Sequence, residues 1–369
     1  LNMTKLSNSW QIKSGISIKN HFVMAPMVNQ QSEEDGCLGE DEFQWLRERA
    51  KGGYGMIITT ACNVSKSGKT WSGQLSIYDD KHLPGLTKLA SELKLFGAKP
   101  LVQIFHGGAR CPSSITGVQP VSASAFLLDL PNFEQPRAIT EAEITQVVLE
   151  FVAGARRAHL AGFAGVEIHG ANGYLLCQFI SPDTNQRSDN YGGSLENRAR
   201  LIREILQGCK QELPSDFIVG VRLSPENRGI QTGLDLDESI QIAKWLVEDG
   251  ADYIHLSTND MFKSADKYPT QAKALISYFI DAVGQKVPLL AAGGLQTLEQ
   301  MQSALELGLS GIALGRAAIA NADLPLHSDD SSYQPLQPPY TWEQLKAVKV
   351  SQFFYKQLKN YPGMIAESK

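Results

Sequence analysis

Three side chains that could act together on a carbonyl compound lie close together in the segment VEIHGANGYL, residues 166–175. His169 and Asn172 are three residues apart, so both could hydrogen-bond one carbonyl oxygen. Tyr174 follows two residues later; a tyrosine with its ordinary pKa of about 10 is protonated at neutral pH and can deliver a proton. A lone histidine beside apolar residues is more often structural than catalytic. The elements around this segment must therefore decide its role.

Eight short, nearly continuous apolar runs punctuate the chain, each followed by small or polar residues. They occur at 21–27, 55–60, 100–106, 165–169, 217–223, 252–257, 287–293 and 311–315. Runs of this kind are typical of strands buried on both faces of a parallel sheet. Segment 166–175 thus begins inside the fourth predicted strand and passes its end.

Helical patterns alternate with these strands, at 40–51, 141–160, 195–210, 237–248, 271–283 and 298–307. Thr140 and Glu143 have the spacing of a capping box, and Ser194 could cap the third of these helices. Eight strand and helix units predict an α/β fold of the (β/α)8 TIM barrel type. A doubly wound sheet is disfavoured because no G-x-G-x-x-G motif follows the first strand.

The connections after the third and fourth strands are long, at 107–139 and 170–193. Loops of this length are usually lids or binding loops, and both would lie on the same face of the barrel. From residue 324 a polar, proline-bearing tail leads to a predicted helix over 341–358. We expect one domain over residues 1–369, with 324–369 as a helical tail packed on the barrel.

Composition and charge favour a small-molecule partner. The net charge of −5, with interspersed acids and bases, gives no electrostatic signature for nucleic acid or an anionic membrane. Apolar stretches stay far below the roughly 20 residues that cross a bilayer, which predicts a cytoplasmic protein. The five cysteines include no C-x-x-C pair, so no metal site is expected. The sequence leaves the subunit number open, a homo-oligomer included.

The last two predicted strands end in glycines that could hold a phosphate. Gly293 and Gly294 follow strand seven, and Gly315 and Arg316 follow strand eight, where such barrels often bind phosphate. Either glycine site alone could equally be a tight turn. Arg222, on strand five, is a second cation that could face an anion formed during turnover, or an acid such as Glu226 in a structural ion pair.

The stretch VEIHGANGYLLCQFISPDTNQRSDNYGGSLENRAR resembles the segment that identifies the old yellow enzyme family of FMN-dependent NAD(P)H:flavin oxidoreductases. HFVMAPMV, LVQIFHGGAR, GVRLSPEN and IALGRAAIA resemble its other blocks, in the same order. The resemblance covers residues 6 to about 322. It implies an FMN-bearing barrel, reduced by NADH or NADPH, that reduces activated C=C bonds.

The resemblance also assigns site residues. It implies that His169 and Asn172 hold the carbonyl oxygen of an enone or enal, while Tyr174 protonates the α carbon. It places Arg222 beside N1 and O2 of the flavin. The remaining residues that it assigns to the flavin ring or phosphate are Ala25, Pro26, Met27, Val28, Ala61, Gln103, Gly293, Gly294, Gly315 and Arg316.

The chain departs from many relatives at two positions. Val28 replaces a threonine or cysteine that hydrogen-bonds flavin O4, which predicts a shifted flavin potential. A tyrosine that some relatives carry near Gln30 is also missing.

Three alternative functions remain at this point. The first is a flavin reductase for nitro, azo or quinone acceptors. The others are a flavin-binding protein without turnover and a redox-inactive lyase or isomerase that binds a phosphorylated substrate.

Overall fold

The structure is a computed structural model that describes residues 3–367. Its centre is a closed barrel of eight parallel strands, in which each strand pairs with the next along the chain and β8 pairs with β1. The strands are β1 (Phe22–Met24), β2 (Met56–Asn63), β3 (Lys99–Phe105), β4 (Gly165–Gly170), β5 (Ile218–Leu223), β6 (Tyr253–Ser257), β7 (Leu289–Ala292) and β8 (Gly311–Leu314). The predicted TIM barrel and all eight predicted strands are confirmed.

A helix follows each strand and covers the outside of the barrel. These helices are α1 (Glu40–Lys51), α2 (Leu83–Leu95), α3 (Glu141–Leu160), α4 (Arg200–Glu212), α5 (Leu236–Glu248), α6 (Leu275–Val283), α7 (Leu298–Leu307) and α8 (Arg316–Ala320). The predicted capping box at α3 is present: the Thr140 hydroxyl accepts from the Glu143 N–H, and the Glu143 carboxylate accepts from the Thr140 N–H, both at 3.1 Å. Sequence patterning missed α2.

Two predicted helices differ from the structure. The helix predicted over 195–210 is a short turn, Leu195–Arg198, followed by α4, because the ψ angle of Ala199 is −5° instead of the helical value near −42°. The predicted cap on that turn is confirmed, since the Ser194 hydroxyl accepts from the Asn197 N–H. The helix predicted over 271–283 begins at Leu275, because the backbone of Ala274 is extended and this residue is the N-cap.

The predicted tail helix over 341–358 is wrong as a single element. The tail forms α9 (Trp342–Ala347) and α10 (Gln352–Leu358), because Lys349 adopts a positive φ of 65° that ends the first helix. Ser351 then caps the second helix by accepting from the Phe354 N–H. Buried tail side chains share the main hydrophobic core with the barrel helices. This packing fits one domain, which stays a prediction.

An antiparallel hairpin that sequence patterning missed closes the amino-terminal end of the barrel. Its strands are Trp10–Lys13 and Ile16–Ile18. Ile12 and Ile18 are buried in one cluster with inward-facing residues at the strand starts, such as Met56. The opposite end carries the two predicted long loops, which contain short helical turns at Ser113–Thr116 and Leu175–Ile180. Only that end is therefore free to form a site.

Candidate active site

A cavity of about 610 Å³ opens at the carboxyl ends of the strands. Ten of the predicted site residues line it: Ala25, Pro26, Met27, Val28, Asn172, Arg222, Gly293, Gly294, Gly315 and Arg316. The other lining residues are Arg228, Thr258, Asn259, Ala292, Leu295, Gln296, Ala313, Ile319, Phe354, Leu358, Tyr361 and Met364. Three arginines and no aspartate or glutamate line the described cavity, so it suits an anionic ligand.

The other four predicted residues lie on neighbouring strand ends, outside the cavity lining. His169 and Tyr174 have ring centroids 5.2 Å apart, and Phe105 lies between 4.7 and 5.6 Å from both. Ala61 is buried against Phe105 and Tyr174, with Trp71 packed beside them. The structure thus brings His169 and Tyr174 together on an aromatic wall that sequence reasoning did not predict.

His169 is a neutral hydrogen-bond donor in this setting. The Ala171 N–H donates to its Nδ1 at 3.3 Å, so the ring proton belongs on Nε2. Burial, helped by the nearby positive charge of Arg222, lowers the pKa of His169 to about 3. The ring therefore offers one N–H across the physiological pH range.

Asn172 is held at three of its four polar groups. Its backbone N–H donates to the Ser224 hydroxyl at 2.9 Å, and its carbonyl oxygen accepts from Arg110 Nη1 at 2.9 Å. Its side-chain Oδ1 accepts from the Ser257 hydroxyl at 2.8 Å. The residue adopts a positive φ of 62°, which asparagine tolerates better than most residues. The amide Nδ2 is left without a partner among the described residues and can donate to a ligand.

The side chain of Tyr174 is buried, and contacts to its ring hold it in place. Arg110 lies over the ring, with Cζ 4.3 Å from the centroid. Burial raises the pKa of Tyr174, so its hydroxyl stays protonated to a higher pH than that of an exposed tyrosine. In residues 3–367 that hydroxyl has no hydrogen-bond partner. A second proton donor therefore lies beside His169.

Arg222 is a buried cation that forms no salt bridge in the described chain, and the carboxylate of Glu167 stabilises its charge. Its Nε is buried without a hydrogen-bond partner. Burial lowers its pKa to about 10, so the guanidinium stays charged at neutral pH. The alternative ion pair with Glu226 is wrong, because that carboxylate accepts from the backbone N–H groups of Asp266 and Lys267 at 2.6 and 3.3 Å. An orphaned donor of this kind fits an acceptor edge on a bound ligand.

Gln103 belongs to a buried polar network at the end of β3, outside the cavity lining. Its Nε2 donates to Glu167 at 2.8 Å, and Glu167 also accepts from the Tyr253 hydroxyl at 3.0 Å and contacts His255 Nδ1 at 2.7 Å. The amide of Gln103 is thereby oriented with its oxygen free for a donor such as a pyrimidine N–H. Sequence reasoning missed Glu167 because its strand position predicts only a buried residue.

The glycine Gly293, after β7, meets a steric requirement, and Gly315, after β8, leaves its backbone open to the cavity. Gly293 has a φ of 130°, and a Cβ there would lie 2.1 Å from the Thr258 carbonyl oxygen. A Cβ on Gly315 would enter open space, with Met27 Sδ its nearest neighbour at 3.9 Å. Gly315 and Arg316 both line the cavity. This corner can admit a phosphate close to backbone, so turn geometry and phosphate binding are compatible here.

The guanidinium of Arg222, whose Nε lacks a hydrogen-bond partner, suits the ring end of a flavin mononucleotide. The glycine-lined corner suits its phosphate end. Fold and cavity together define the class of flavin-dependent barrel oxidoreductases. The chain belongs to the NADH:flavin oxidoreductase / NADH oxidase family, whose model matches residues 6–332. The resemblance to old yellow enzyme is confirmed, as are FMN as cofactor and NADH or NADPH as reductant. A redox-inactive lyase or isomerase is therefore excluded.

The relatives extend over most of the chain. The chain is 38% identical to a probable NADH-dependent flavin oxidoreductase, YqiG, of Bacillus subtilis, over 86% of this chain and 85% of that protein. It is 34% identical to NADH:fumarate oxidoreductase of Klebsiella pneumoniae, of which it spans only 35%. The structure of an old yellow enzyme homologue from Zymomonas mobilis superposes with a TM-score of 0.80 at 28% identity, covering 93% of this chain and 96% of that one.

Several cavity residues escaped sequence reasoning. Arg228 lies on the loop after β5, and Asn259 follows β6. Phe354, Leu358, Tyr361 and Met364 come from the tail, which has no strand register to place it.

No helix among residues 3–367 combines the length and apolarity needed to cross a bilayer.

Val28 gives a prediction on the flavin potential. Val28→Thr should raise the midpoint potential of the bound flavin by about 20 mV, since one added hydrogen bond to O4 is worth about 1 kcal/mol and stabilises the electron-rich reduced ring more. Spectrophotometric redox titration measures the shift, and Val28→Ala, which adds no donor, is the control. Equal potentials in Val28→Thr and Val28→Ala would contradict the prediction.

Proposed function

We propose that this protein takes hydride equivalents from NADH or NADPH and reduces the activated C=C bond of α,β-unsaturated carbonyl compounds. The observation that carries the proposal is Asn172, whose Nδ2 is the one of its four polar groups without a partner among residues 3–367. It follows the same strand end that carries the neutral, donating ring of His169. Two such donors on one oxygen would suit a carbonyl whose negative charge grows during reduction.

The residues that would hold FMN surround the cavity. Arg222 would face N1 and O2, Gln103 the pyrimidine edge, and the backbone from Ala25 to Val28 and at Ala61 would line the ring. Gly293, Gly294, Gly315 and Arg316 would hold the phosphate. The chemistry that the cofactor would supply when bound is hydride transfer from the nicotinamide to the acceptor.

His169 and Asn172 would bind and orient the acceptor. Their N–H groups would hydrogen-bond its carbonyl oxygen and stabilise the enolate charge that develops there. A preorganised donor of this kind is typically worth about 10² to 10³ in rate. Ser257 and Arg110 keep Asn172 in place, so the donor needs no reorganisation during the reaction.

Tyr174 would supply the proton that completes reduction. Its hydroxyl is protonated and its ring packs against the ring of His169, so it would transfer a proton to the α carbon of an acceptor held by that histidine. Solvent then restores the phenol. Nicotinamide and acceptor would occupy the same cavity in turn, which fits a chain without a separate nicotinamide-binding motif.

The test is an anaerobic two-step experiment on the holoenzyme. NADH or NADPH should bleach the flavin absorbance, and cyclohexenone added afterwards should restore it with formation of cyclohexanone. A nitro compound, an azo dye and a quinone serve as competing acceptors. If these restore the absorbance and cyclohexenone does not, the protein is a flavin reductase of the alternative kind and the proposal is wrong.

The lowered pKa of His169 predicts a flat pH dependence. Because that pKa is about 3, the ring is already neutral at pH 5 and stays so at higher pH. Acceptor reduction by pre-reduced enzyme should therefore lack the inflection near pH 6.5 of a freely titrating histidine. Stopped-flow rates from pH 5 to 9 test this, with His169→Asn as a non-titrating control. An inflection seen only in the wild type would contradict it.

A further inference from the structure

Arg228 is a cation in the cavity wall whose charge nothing in residues 3–367 neutralises. Its Nε donates to Asn259 Oδ1 at 2.8 Å. Its Nη1 donates to the Ser257 hydroxyl at 2.7 Å and to Asn172 Oδ1 at 3.5 Å, and all three acceptors are neutral oxygens. Nη2 has no hydrogen-bond partner, and Arg228 takes part in no ion pair, in the described chain. The side chain is partly withdrawn from water, and withdrawing an unpaired charge is costly.

The other two arginines of the cavity already have roles under the proposed function. Under that proposal Arg222 would face the flavin ring and Arg316 the flavin phosphate, and Arg228 is close enough to repel both cations. Arg228 lies between β4 and β6, and its Nη1 is 3.5 Å from Asn172 Oδ1. The guanidinium therefore adjoins the residue that would hold the acceptor, which favours an anion on the acceptor over the flavin phosphate.

Carboxylate is the anion that this edge fits best. Arginine presents planar, fixed donors that match the geometry of a carboxylate, and it cannot lose its charge in a protein. Both hydrogens of Nη2 are available for such a group, whereas Nη1 already donates to Ser257 and Asn172.

We infer that Arg228 recognises a carboxylate on the acceptor, which makes unsaturated oxo acids the preferred substrate class of this site. The inference rests on the proposed function. Such an acceptor would place its ketone oxygen on His169 and Asn172 and its carboxylate on Arg228. A neutral acceptor of the same shape would leave the guanidinium unpaired and should react more slowly.

The first test compares matched acceptors in matched variants. The probes are trans-4-oxo-2-pentenoate and its methyl ester, assayed with wild type, Arg228→Gln and Arg228→Lys holoenzyme. Arg228→Gln should lower the ratio of kcat/KM for acid over ester by about 30-fold, because a hydrogen bond to a charged group is lost. Arg228→Lys should keep a several-fold preference, since the charge remains. Arg156→Gln, on the exposed surface of α3, is the control.

The ratio of kcat/KM for acid over ester distinguishes two roles of Arg228: binding the carboxylate of the acceptor, and holding Asn172 in position through Ser257. Loss of the contact to Ser257 would slow acid and ester equally, and an unchanged ratio in Arg228→Gln would overturn the inference. FMN dissociation constants give a second decision. If Arg228→Gln weakens FMN binding while leaving the acid to ester ratio intact, Arg228 serves the flavin phosphate and the inference is wrong.

A binding experiment keeps the inference independent of turnover. Benzoate and benzamide have nearly the same flat shape and differ in charge, and their binding can be followed through flavin absorbance. Wild type should favour benzoate by about 10-fold or more, and Arg228→Gln should abolish that preference. If wild type reduces neither cyclohexenone nor the acid, the proposed function fails, while equal binding of benzoate and benzamide overturns the carboxylate site itself.

Discussion

Replacing His169 and Asn172 together by alanine should lower the rate of cyclohexenone reduction by about 10⁴. Each donor is worth about 10² to 10³, and two donors that act on one oxygen are not fully additive. FMN should stay bound, because neither side chain lies at the glycine-lined corner that would hold its phosphate. Anaerobic reoxidation of pre-reduced enzyme measures the rate, and flavin absorbance per protein measures retention.

The control for this double variant is His159→Ala, which removes a histidine from the exposed end of α3 and should leave the rate unchanged. Reduction of the double variant by NADH should still proceed, since that step forms no charge on an acceptor oxygen. If the double variant reduced cyclohexenone at the wild-type rate, the two-donor mechanism would be wrong. Loss of flavin instead of activity would show that the pair serves cofactor binding.

Tyr174→Phe should slow acceptor reduction by about 10² to 10³ while leaving flavin reduction by the nicotinamide nearly normal. A positioned general acid typically contributes 10² to 10⁴ in rate, and solvent replaces part of that contribution. Phenylalanine keeps the ring contacts with Phe105, His169 and Arg110, so the aromatic wall should persist. Stopped-flow measurement of both half-reactions separates the two steps.

An acceptor that needs no carbon protonation provides the control for Tyr174→Phe. Benzoquinone takes its protons on oxygen, so the variant should reduce it at nearly the wild-type rate. A variant slowed with benzoquinone as much as with cyclohexenone would mean that Tyr174 shapes the pocket instead of delivering a proton. A slowed reductive half-reaction alone would contradict the assigned role outright.

The barrel could be predicted from sequence because its strands are buried on both faces. That burial makes each one a short, nearly continuous apolar run, such as Gly311–Leu314, and the chain repeats the pattern eight times. Strand ends then place the chemistry, which is how His169, Arg222 and Gly315 could be selected. The breaks near Ala199 and Lys349 could not, since they depend on single backbone angles inside helix-like sequence.

The unpredicted part of the site comes from side chains that no strand places. Arg228 extends from a loop, and its position depends on hydrogen bonds to Ser257 and Asn259, residues distant in sequence. Glu167 alternates with His169 along β4 and reads as an ordinary core position until Gln103, Tyr253 and His255 surround it. Long-range polar contacts of this kind leave no local pattern.

The tail forms one wall of the cavity, and this has a consequence for biosynthesis. Phe354, Leu358 and Met364 leave the ribosome after all eight strands, yet they complete the cavity that would receive the flavin. A nascent chain stalled before residue 352 could close its barrel but would lack this wall. Tight flavin retention should therefore be acquired only after the tail has been released and has docked.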